Sequence, residues 1–507
     1  MTIGSILSDR AAKNPDKVFM YFEEITRTYA EMNGIANRIG NAMAAEGVGH
    51  GDNVCLLTTN IPEFIYTFFG LSKIGAVTCP INPALQGPEL QYIIDNCDAK
   101  VLVAEEALMP TVRKIRDQLP GLKKILVVGE NVESGESLFD DFMNGAPDAP
   151  PSSNVKDTDL AAIIYTSGTT GKPKGAMLSH GNYIWDATVL GEQAKMTEKD
   201  RFMCILPLFH VNGQVVTVLG PLVVGASMVL VQKFSASKFF TTVDRYKPTA
   251  FSAVPTIYAM LLNAPGTGNY DLGSLRFCIC GAAPMPVEIF KRFEENFRAR
   301  ILEGYGLSEG TCASSVNPLD GTRKVGSIGL PFPGQDMKIF GPEGKELPPG
   351  ERGEILVKGP NVMQGYYNNP QATADALIDG WLHTGDMGYM DEEGYFFISG
   401  RLKEMIIRGG ENIYPKEIEE FIYQHEAVAE AAVVGVPDKF YGEEVKAFIV
   451  LKSGTTATEE DILQFCRDKM AKYKCPKSVA FIREMPKTPT GKIQKKRLVE
   501  DPTWTSE

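Results

Sequence analysis

The ten residues TSGTTGKPKG at positions 166–175 follow directly on the apolar run LAAIIY and combine small hydroxyl side chains with three glycines and two lysines. Glycine lacks the Cβ that would hold a ligand away from the chain, so Gly168 and Gly171 let backbone N–H groups close around phosphate oxygens. The hydroxyls of Thr166, Ser167, Thr169 and Thr170 can join them, and Lys172 and Lys174 add positive charge. The register is not G-x-x-x-x-G-K-[ST], so this is not a Walker A loop. Far along the chain, PTGKI reads as a turn that presents the ammonium of Lys492 on a short loop, beside Lys487, Lys495 and Lys496.

Further segments stand between and around these two: LPLFH at 206–210, GYGLSEG at 304–310, HTGD at 383–386, GRLKEMIIRGGENIYPKEIE at 400–419 and PKTPTGKIQKKRL at 486–498. In this order, and with the glycine-rich loop, the chain resembles the adenylate-forming family that includes acyl-CoA synthetases, firefly luciferase and peptide-synthetase adenylation domains. The resemblance spans nearly the whole sequence. Its chemistry makes physical sense, because a carboxylate is a poor electrophile and needs a leaving group before a thiol can displace it. Attack of the carboxylate on the α-phosphorus of ATP supplies AMP as that group, and a site that brings these anions together must neutralise charge and hold the phosphates in line.

The resemblance implies a role for each matched residue. Residues Thr166 to Thr170, Gly171, Lys172 and Ser308 are expected to handle phosphate oxygens, Ser308 standing where the family usually has Thr. Glu309 is the expected Mg²⁺ contact; this ion keeps waters and needs few protein ligands. Tyr305, next to Gly306, offers an aromatic face to adenine, Asp386 accepts from the ribose hydroxyls, and Arg401 also reaches the sugar. Lys492 bridges the attacking carboxylate and the α-phosphate. Lys403 occupies the hinge about which a C-terminal domain rotates, withdrawing Lys492 and delivering Arg408, Gly409 and Gly410 to the acyl-adenylate, where the glycines let a pantetheine arm pass. His210, grouped with the catalytic residues, lines the acyl pocket with Asn212, Val216, Gly281, Ala282, Ala283, Gly304, Cys312 and Ala313. The small side chains there leave room for an apolar tail, and no charge among them calls for a second polar group on the acid. Enlarging Gly304 is expected to shorten the acyl chain accepted.

The expected activity is therefore an AMP-forming acyl-CoA synthetase acting on a fatty or aryl monocarboxylic acid, with ATP, Mg²⁺ and CoA. A free-standing adenylation enzyme that loads a carrier protein needs the same first half-reaction and is the nearest rival. A luciferase-like monooxygenase shares the motifs. A silent nucleotide or acyl-chain sensor is disfavoured by intact Glu309, Asp386, Arg401 and Lys492.

The elements that must hold these residues follow from periodicity. Residues 28–47 are spaced as an amphipathic helix and 90–97 close another, while NVCLLTT, KVLVAEE and LAAIIYTS read as strands. Alternation of helices and strands through the first 320 residues implies parallel sheets covered by helices. From 321 to 400 brief strands (MKIF, GEILVKG, GYFFISG) between glycine turns suggest a small barrel-like β unit. After Arg401 the pattern is compact α+β, with helices at 415–425 and 459–471 and strands at 430–436 and 446–452. The fold class is thus α/β: a large N-terminal domain, 1–400, of helix-covered sheets with the β unit, and a small mobile α+β C-terminal domain, 401–507, divided at about residues 400–404.

Composition bounds the rest. The chain has 507 residues, 44% of them hydrophobic, and a net charge of -12, which argues against non-specific nucleic-acid binding. Residues 467–497 are the exception, with 11 basic side chains against Asp468 and Glu484; they form either a solvated face or an attraction for CoA phosphates. Nine cysteines without C-x-x-C spacing read as reduced thiols, and Cys278 and Cys280 should turn to one face of a strand. The first charges, Asp9 and Arg10, come too early for a signal peptide, so a cytoplasmic location is expected. The uncharged stretch 211–232 is broken by glycines and proline and reads as a buried helix, a turn and a buried strand rather than a membrane span. The expected partners are small molecules, namely a carboxylic acid, ATP and CoA, with a homodimer as a further possibility.

Overall fold

Thr28 begins the 17-residue helix Tyr29–Ala45 as its N-cap: its hydroxyl accepts the Glu31 N–H at 3.2 Å, and the Glu31 carboxylate accepts the Thr28 N–H at 2.7 Å. Such a reciprocal cap stabilises a helix by about 1 kcal/mol. Met32, Ala36, Ile39 and Met43 then recur on one side and are buried. The computed structural model describes residues 1–507 except 167–171, 266, 284, 489–492, 502–503 and 505–507.

Two large sheets form the body of the molecule. The first runs Glu136–Leu138, Lys124–Val128, Val101–Glu105, Asn53–Leu57, Val77–Pro80, Leu160–Thr166 and Lys174–Ser179, parallel except for the last pair. The second holds a parallel run of Arg300–Tyr305, Phe277–Cys280, Ala250–Ala253, Arg201–Cys204, Ser227–Leu230 and Val18–Phe22, with short antiparallel strands at its margins. These strands are apolar on both faces because both faces are covered. Val54 and Leu56 join a core shared with Phe277 and Ile279 of the other sheet, while Cys55 and Leu57 turn outward. Cys278 and Cys280 turn together into the outer core of the second sheet, as the pleat requires.

Helices Pro62–Ile74 and His180–Gln193 contribute Phe64, Phe68, Tyr183 and Leu190 to the shared core and so lie between the sheets. On the outer face of the second sheet, Phe293 of Val287–Phe297 packs against Phe251 and Tyr258, with Phe290 and Phe297 buried in the same cluster. Each aromatic so buried contributes about 1.5 to 3 kcal/mol of hydrophobic stabilisation. The uncharged stretch becomes helical turns from Val211 to Val224, a left-handed Gly225 at φ 78°, and the strand Ser227–Leu230. No described helix is long and apolar enough to cross a membrane.

A third, antiparallel sheet contains Asp336–Phe340, Gly353–Lys358, Leu377–Ile378, Trp381–Met390 and Phe396–Arg401. The HTGD segment lies within its ten-residue strand Trp381–Met390, which puts Asp386 directly across from Arg401. Beyond Arg401 a fourth sheet is built on the hairpin Val428–Asp438 and Gly442–Leu451. Its two hydrophobic clusters draw only on residues from Ile406 onward. The helix expected over 459–471 ends at Arg467, where the N–H groups of Lys469 and Met470 both return to Cys466 O and close the last turn. The fold is α/β, with helix-covered sheets and an antiparallel β unit followed by a small α+β unit.

Candidate active site

Leu160–Thr166 and Lys174–Ser179 pair antiparallel, so the glycine-rich segment joins two strands of a hairpin instead of leading from a strand into a helix as a Walker A loop does. Ser167, Gly168, Thr169, Thr170 and Gly171 lie outside the described residues. At its ends, Thr166 Oγ1 donates to Glu309 Oε1 at 3.3 Å, and the Lys172 and Lys174 ammoniums lie 5.3 and 5.2 Å from the ring centres of Tyr92 and Tyr366.

Glu309 sits on the one-turn helix Ser308–Gly310, just beyond the strand Arg300–Tyr305. Its Oε1 also accepts from the Tyr366 hydroxyl at 2.8 Å. Burial, and then the Glu309 charge, push the Tyr366 hydroxyl far above its ordinary range, so it serves as a donor. Nothing in the spacing of QGYYNN marks Tyr366 in advance. The chain then folds back so closely that a Cβ on Gly306 would stand 1.7 Å from Cys312 O, which only glycine tolerates. The return is a γ-turn: Thr311 has φ 67° and ψ -63°, and the Cys312 N–H donates to Gly310 O at 2.8 Å. This backbone is strained for a β-branched residue. It is held by Thr311 Oγ1, which donates to Asn361 O at 2.6 Å, and by Asp186 Oδ2, which accepts the N–H groups of Cys312 and Ala313 at 3.1 and 3.0 Å. Asp186 is buried in His180–Gln193, and burial pushes its pKa up to about 8 against the pull of those two donors. Its only sequence signal is a carboxylate on an apolar helical stripe with Tyr183 and Leu190.

Asp386 is buried, and both of its oxygens are engaged: Tyr305 Oη donates to Oδ2 at 2.7 Å and Arg401 Nε lies 2.9 Å from Oδ1. Each carboxylate oxygen keeps a lone pair for a further donor such as a sugar hydroxyl.

These groups open on a cavity of about 1520 Å³, more than the 300 to 1,000 Å³ usual for one small ligand. Thr166, Tyr305, Gly306, Ser308, Glu309 and Arg401 line one part, and His210, Asn212, Val216, Gly281, Ala282, Gly304, Cys312 and Ala313 line another. Lys403, Gln494 and Lys495 also face it, while Lys492 lies outside the described residues. Two expectations need correction. Ala283 does not line the cavity, because Ala282 takes a left-handed φ of 66° and turns the chain off the wall. Arg408, Gly409 and Gly410, which rotation is expected to deliver after adenylation, are also off the wall here; the Arg408 guanidinium is held by Glu444 at 2.7 and 2.8 Å and lies over the Tyr441 ring. Gly304 is on the wall, but a Cβ there would meet Ser315 O at 2.9 Å, so enlargement would strike backbone before filling the pocket.

Burial lowers the pKa of His210 to about 4, and that of His180, in the core, also to about 4. Both imidazoles are neutral at neutral pH. The unfolded chain takes up these protons near pH 6.5 and the folded chain only near pH 4, so stability falls as pH drops through that window. The unfolding midpoint in urea should decrease accordingly, and the His210 ring proton in NMR should stay constant from about pH 8 to about pH 5. A His210 titration centred near the free-imidazole value would show that the wall is wet.

A family model described as AMP-binding enzyme matches residues 7–367. The chain belongs to the AMP-binding enzyme family. A second model, the AMP-binding enzyme C-terminal domain, matches residues 417–492. This AMP-binding enzyme is 38% identical to the long-chain-fatty-acid–CoA ligase of Bacillus subtilis, with 99% of this chain and 95% of that protein covered. It is 37% identical to the sulfoacetate–CoA ligase of Cupriavidus necator, over 98% of this chain and 97% of that one. Among solved structures, the anthranilate CoA ligase AuaEII in complex with anthranoyl-AMP superimposes with a TM-score of 0.94 at 34% identity, covering 98% of this chain and 96% of that one. The acids named for these three relatives differ greatly, so overall identity does not select an acid.

Proposed function

We infer that the acid which this AMP-forming carboxylate–CoA ligase joins to CoA is a fatty or aryl monocarboxylic acid. The enzyme is an acid-thiol ligase: ATP and the carboxylate give acyl-adenylate and pyrophosphate, and CoA then gives acyl-CoA and AMP. The observation that carries the choice of acid is the acyl wall, where His210 is neutral and the other lining groups named above are uncharged. An acid with a second charge would lose its hydration there without gaining a counter-charge. The Asn212 amide, whose Oδ1 is buried with no hydrogen-bond partner among the described residues, is a polar group of that wall besides His210.

In the proposed mechanism Asp386 and Arg401 hold the ribose, Tyr305 stacks on adenine, and Thr166 with Ser167 to Gly171, Lys172 and Ser308 holds the phosphates. Glu309 fits Mg²⁺ by the chemistry of its surroundings: one carboxylate among hydroxyls leaves most of the coordination sphere to water and phosphate. The ion, when bound, offsets phosphate charge. Lys492 stabilises charge between carboxylate and α-phosphate. Rotation of residues 401–507 about Lys403 then exchanges Lys492 for Arg408, Gly409 and Gly410, which admit the thiol. The separate hydrophobic clusters beyond Ile406 support this division, as does the distance of Arg408 from the cavity wall when the flanks of Lys492 are on it.

A panel of acids from acetate to palmitate, with benzoate, cinnamate and sulfoacetate, tests the substrate class by AMP release with CoA. Preference for sulfoacetate would reject the uncharged-tail reading. Pocket size is tested at Gly281, where an added Cβ would meet only Gly304 O, at an ordinary 3.5 Å. Gly281→Val should discriminate against longer acids by about 1 to 3 kcal/mol per excluded methylene while ATP binding persists. Gly304→Val should instead lower the melting temperature, because its Cβ meets backbone. An unchanged acid profile in folded Gly281→Val would move the tail elsewhere.

A further inference from the structure

The described chain ends at Thr488 and resumes at Ile493, and both of these flanks are held. Lys487 and Ile493 form an antiparallel bridge, and the Gln494 N–H donates to Pro486 O at 2.8 Å, so the two described flanks of Lys492 are tied together in a neck. Each side of the neck ends in an ion pair. Lys487 Nζ lies 2.7 Å from Glu430 Oε1, and Lys495 Nζ lies 2.8 Å from Glu419 Oε1 and 3.4 Å from Glu404 Oε2.

The second anchor has the more particular position. The Lys495 side chain is only 18% exposed, and Lys495 and Glu404 line the cavity that also holds Thr166, Glu309 and Arg401. Glu404 follows Lys403 directly in the one-turn helix Leu402–Glu404. Glu419 is fixed in turn, since its Oε1 accepts the Val433 N–H at 2.7 Å. Burial opposes the charge on Lys495, but Glu419 and Glu404 outweigh it and hold the ammonium above its ordinary range. A single long side chain thus joins three places: the described chain after Lys492, the helix Pro415–Ile422 whose Glu419 is bonded to the fourth sheet, and the segment at which the C-terminal unit leaves the larger body.

We propose that Lys495 is a positioning residue for adenylation, its ammonium clamped by Glu419 and Glu404 so that the described chain next to Lys492 is held on the cavity wall. The inference rests on the reading of Lys492 as the adenylation lysine. It makes Lys495 specific to the first half-reaction, because the second proceeds with that lysine withdrawn.

The test uses the full-length enzyme. Lys495→Ala should lower kcat for acid-dependent ATP–pyrophosphate exchange on the order of 10²-fold, the loss that a misplacement of about 1 Å can cause. KM for ATP and acid should hardly change, and thioester formation from supplied acyl-adenylate should be retained. Lys495→Arg, which keeps the charge and the reach, should recover most of the exchange. Glu404→Gln weakens one side of the clamp and should give a smaller loss of the same kind; it carries the test if Lys495→Ala does not fold. Lys492→Ala is measured alongside. If it retains full exchange, the reading of Lys492 fails and this inference with it. If Lys492→Ala loses exchange while folded Lys495→Ala and Glu404→Gln keep it, the positioning role alone is overturned. Equal loss of both half-reactions in folded Lys495→Ala, or a raised KM at constant kcat, would also overturn it.

Discussion

Lys492→Ala should slow acyl-adenylate formation on the order of 10² to 10³-fold, about 2.7 to 4 kcal/mol of transition-state stabilisation, the loss expected when one preorganised charge-stabilising donor is removed. The carboxylate and the α-phosphate approach as anions, and two of the described cations on the cavity are committed elsewhere. Arg401 is paired with Asp386, and Lys495 with Glu419 and Glu404. Thioester formation from supplied acyl-adenylate should survive, because in the proposed mechanism the thiol attacks a neutral acyl group after the lysine has withdrawn. Pyrophosphate exchange and single-turnover thioester formation, measured separately, decide the matter. Equal losses in the two would give Lys492 a structural role or a role in both steps.

Lys403→Pro should have the opposite signature. In the proposed mechanism one cavity admits Lys492 first and the thiol later, and both approaches come from the chain beyond Arg401. Lys403 is the second residue of the one-turn helix Leu402–Glu404, whose N-cap Arg401 is extended at φ -107° and ψ 141°. Proline is accommodated in the first turn of a helix, so the present arrangement, with the flanks of Lys492 on the cavity, should tolerate it. The same ring fixes φ near -65° and restricts Leu402, which opposes the dihedral change of a rotation. Pyrophosphate exchange should therefore persist while CoA-dependent thioester formation falls by about 10²-fold or more, as a misplaced reacting group demands. Full thioester formation by a folded Lys403→Pro enzyme would reject rotation about this residue.

What could be read from the sequence was what local chemistry determines. Thr28 and Glu31 announce a helix start by their own reciprocal hydrogen bonds. The segments around Thr166, Tyr305, Glu309, Asp386 and Arg401 carry their chemistry in their residue types, and the structure brings Thr166 to Glu309 and Tyr305 and Arg401 to Asp386. What the sequence hid depends on where distant backbone meets. Tyr366 reaches Glu309 across 57 residues, and Asp186 reaches Cys312 across 126. The γ-turn at Thr311 contradicts the local preference of threonine and exists only because Asn361 and Asp186 hold it. Gly281 and Gly304 look alike in sequence, yet the added carbon would meet Gly304 O at an ordinary 3.5 Å at one and Ser315 O at 2.9 Å at the other.

The central claim is that the carboxylate oxygen attacks the α-phosphorus and leaves with AMP. An acid labelled with oxygen-18 in both carboxyl positions, turned over with ATP and CoA, tests it in one mass spectrum of the nucleotide product. The mechanism predicts AMP carrying one labelled oxygen for each acyl-CoA formed, with unlabelled pyrophosphate. Unlabelled AMP, or ADP accompanied by labelled inorganic phosphate, would contradict it.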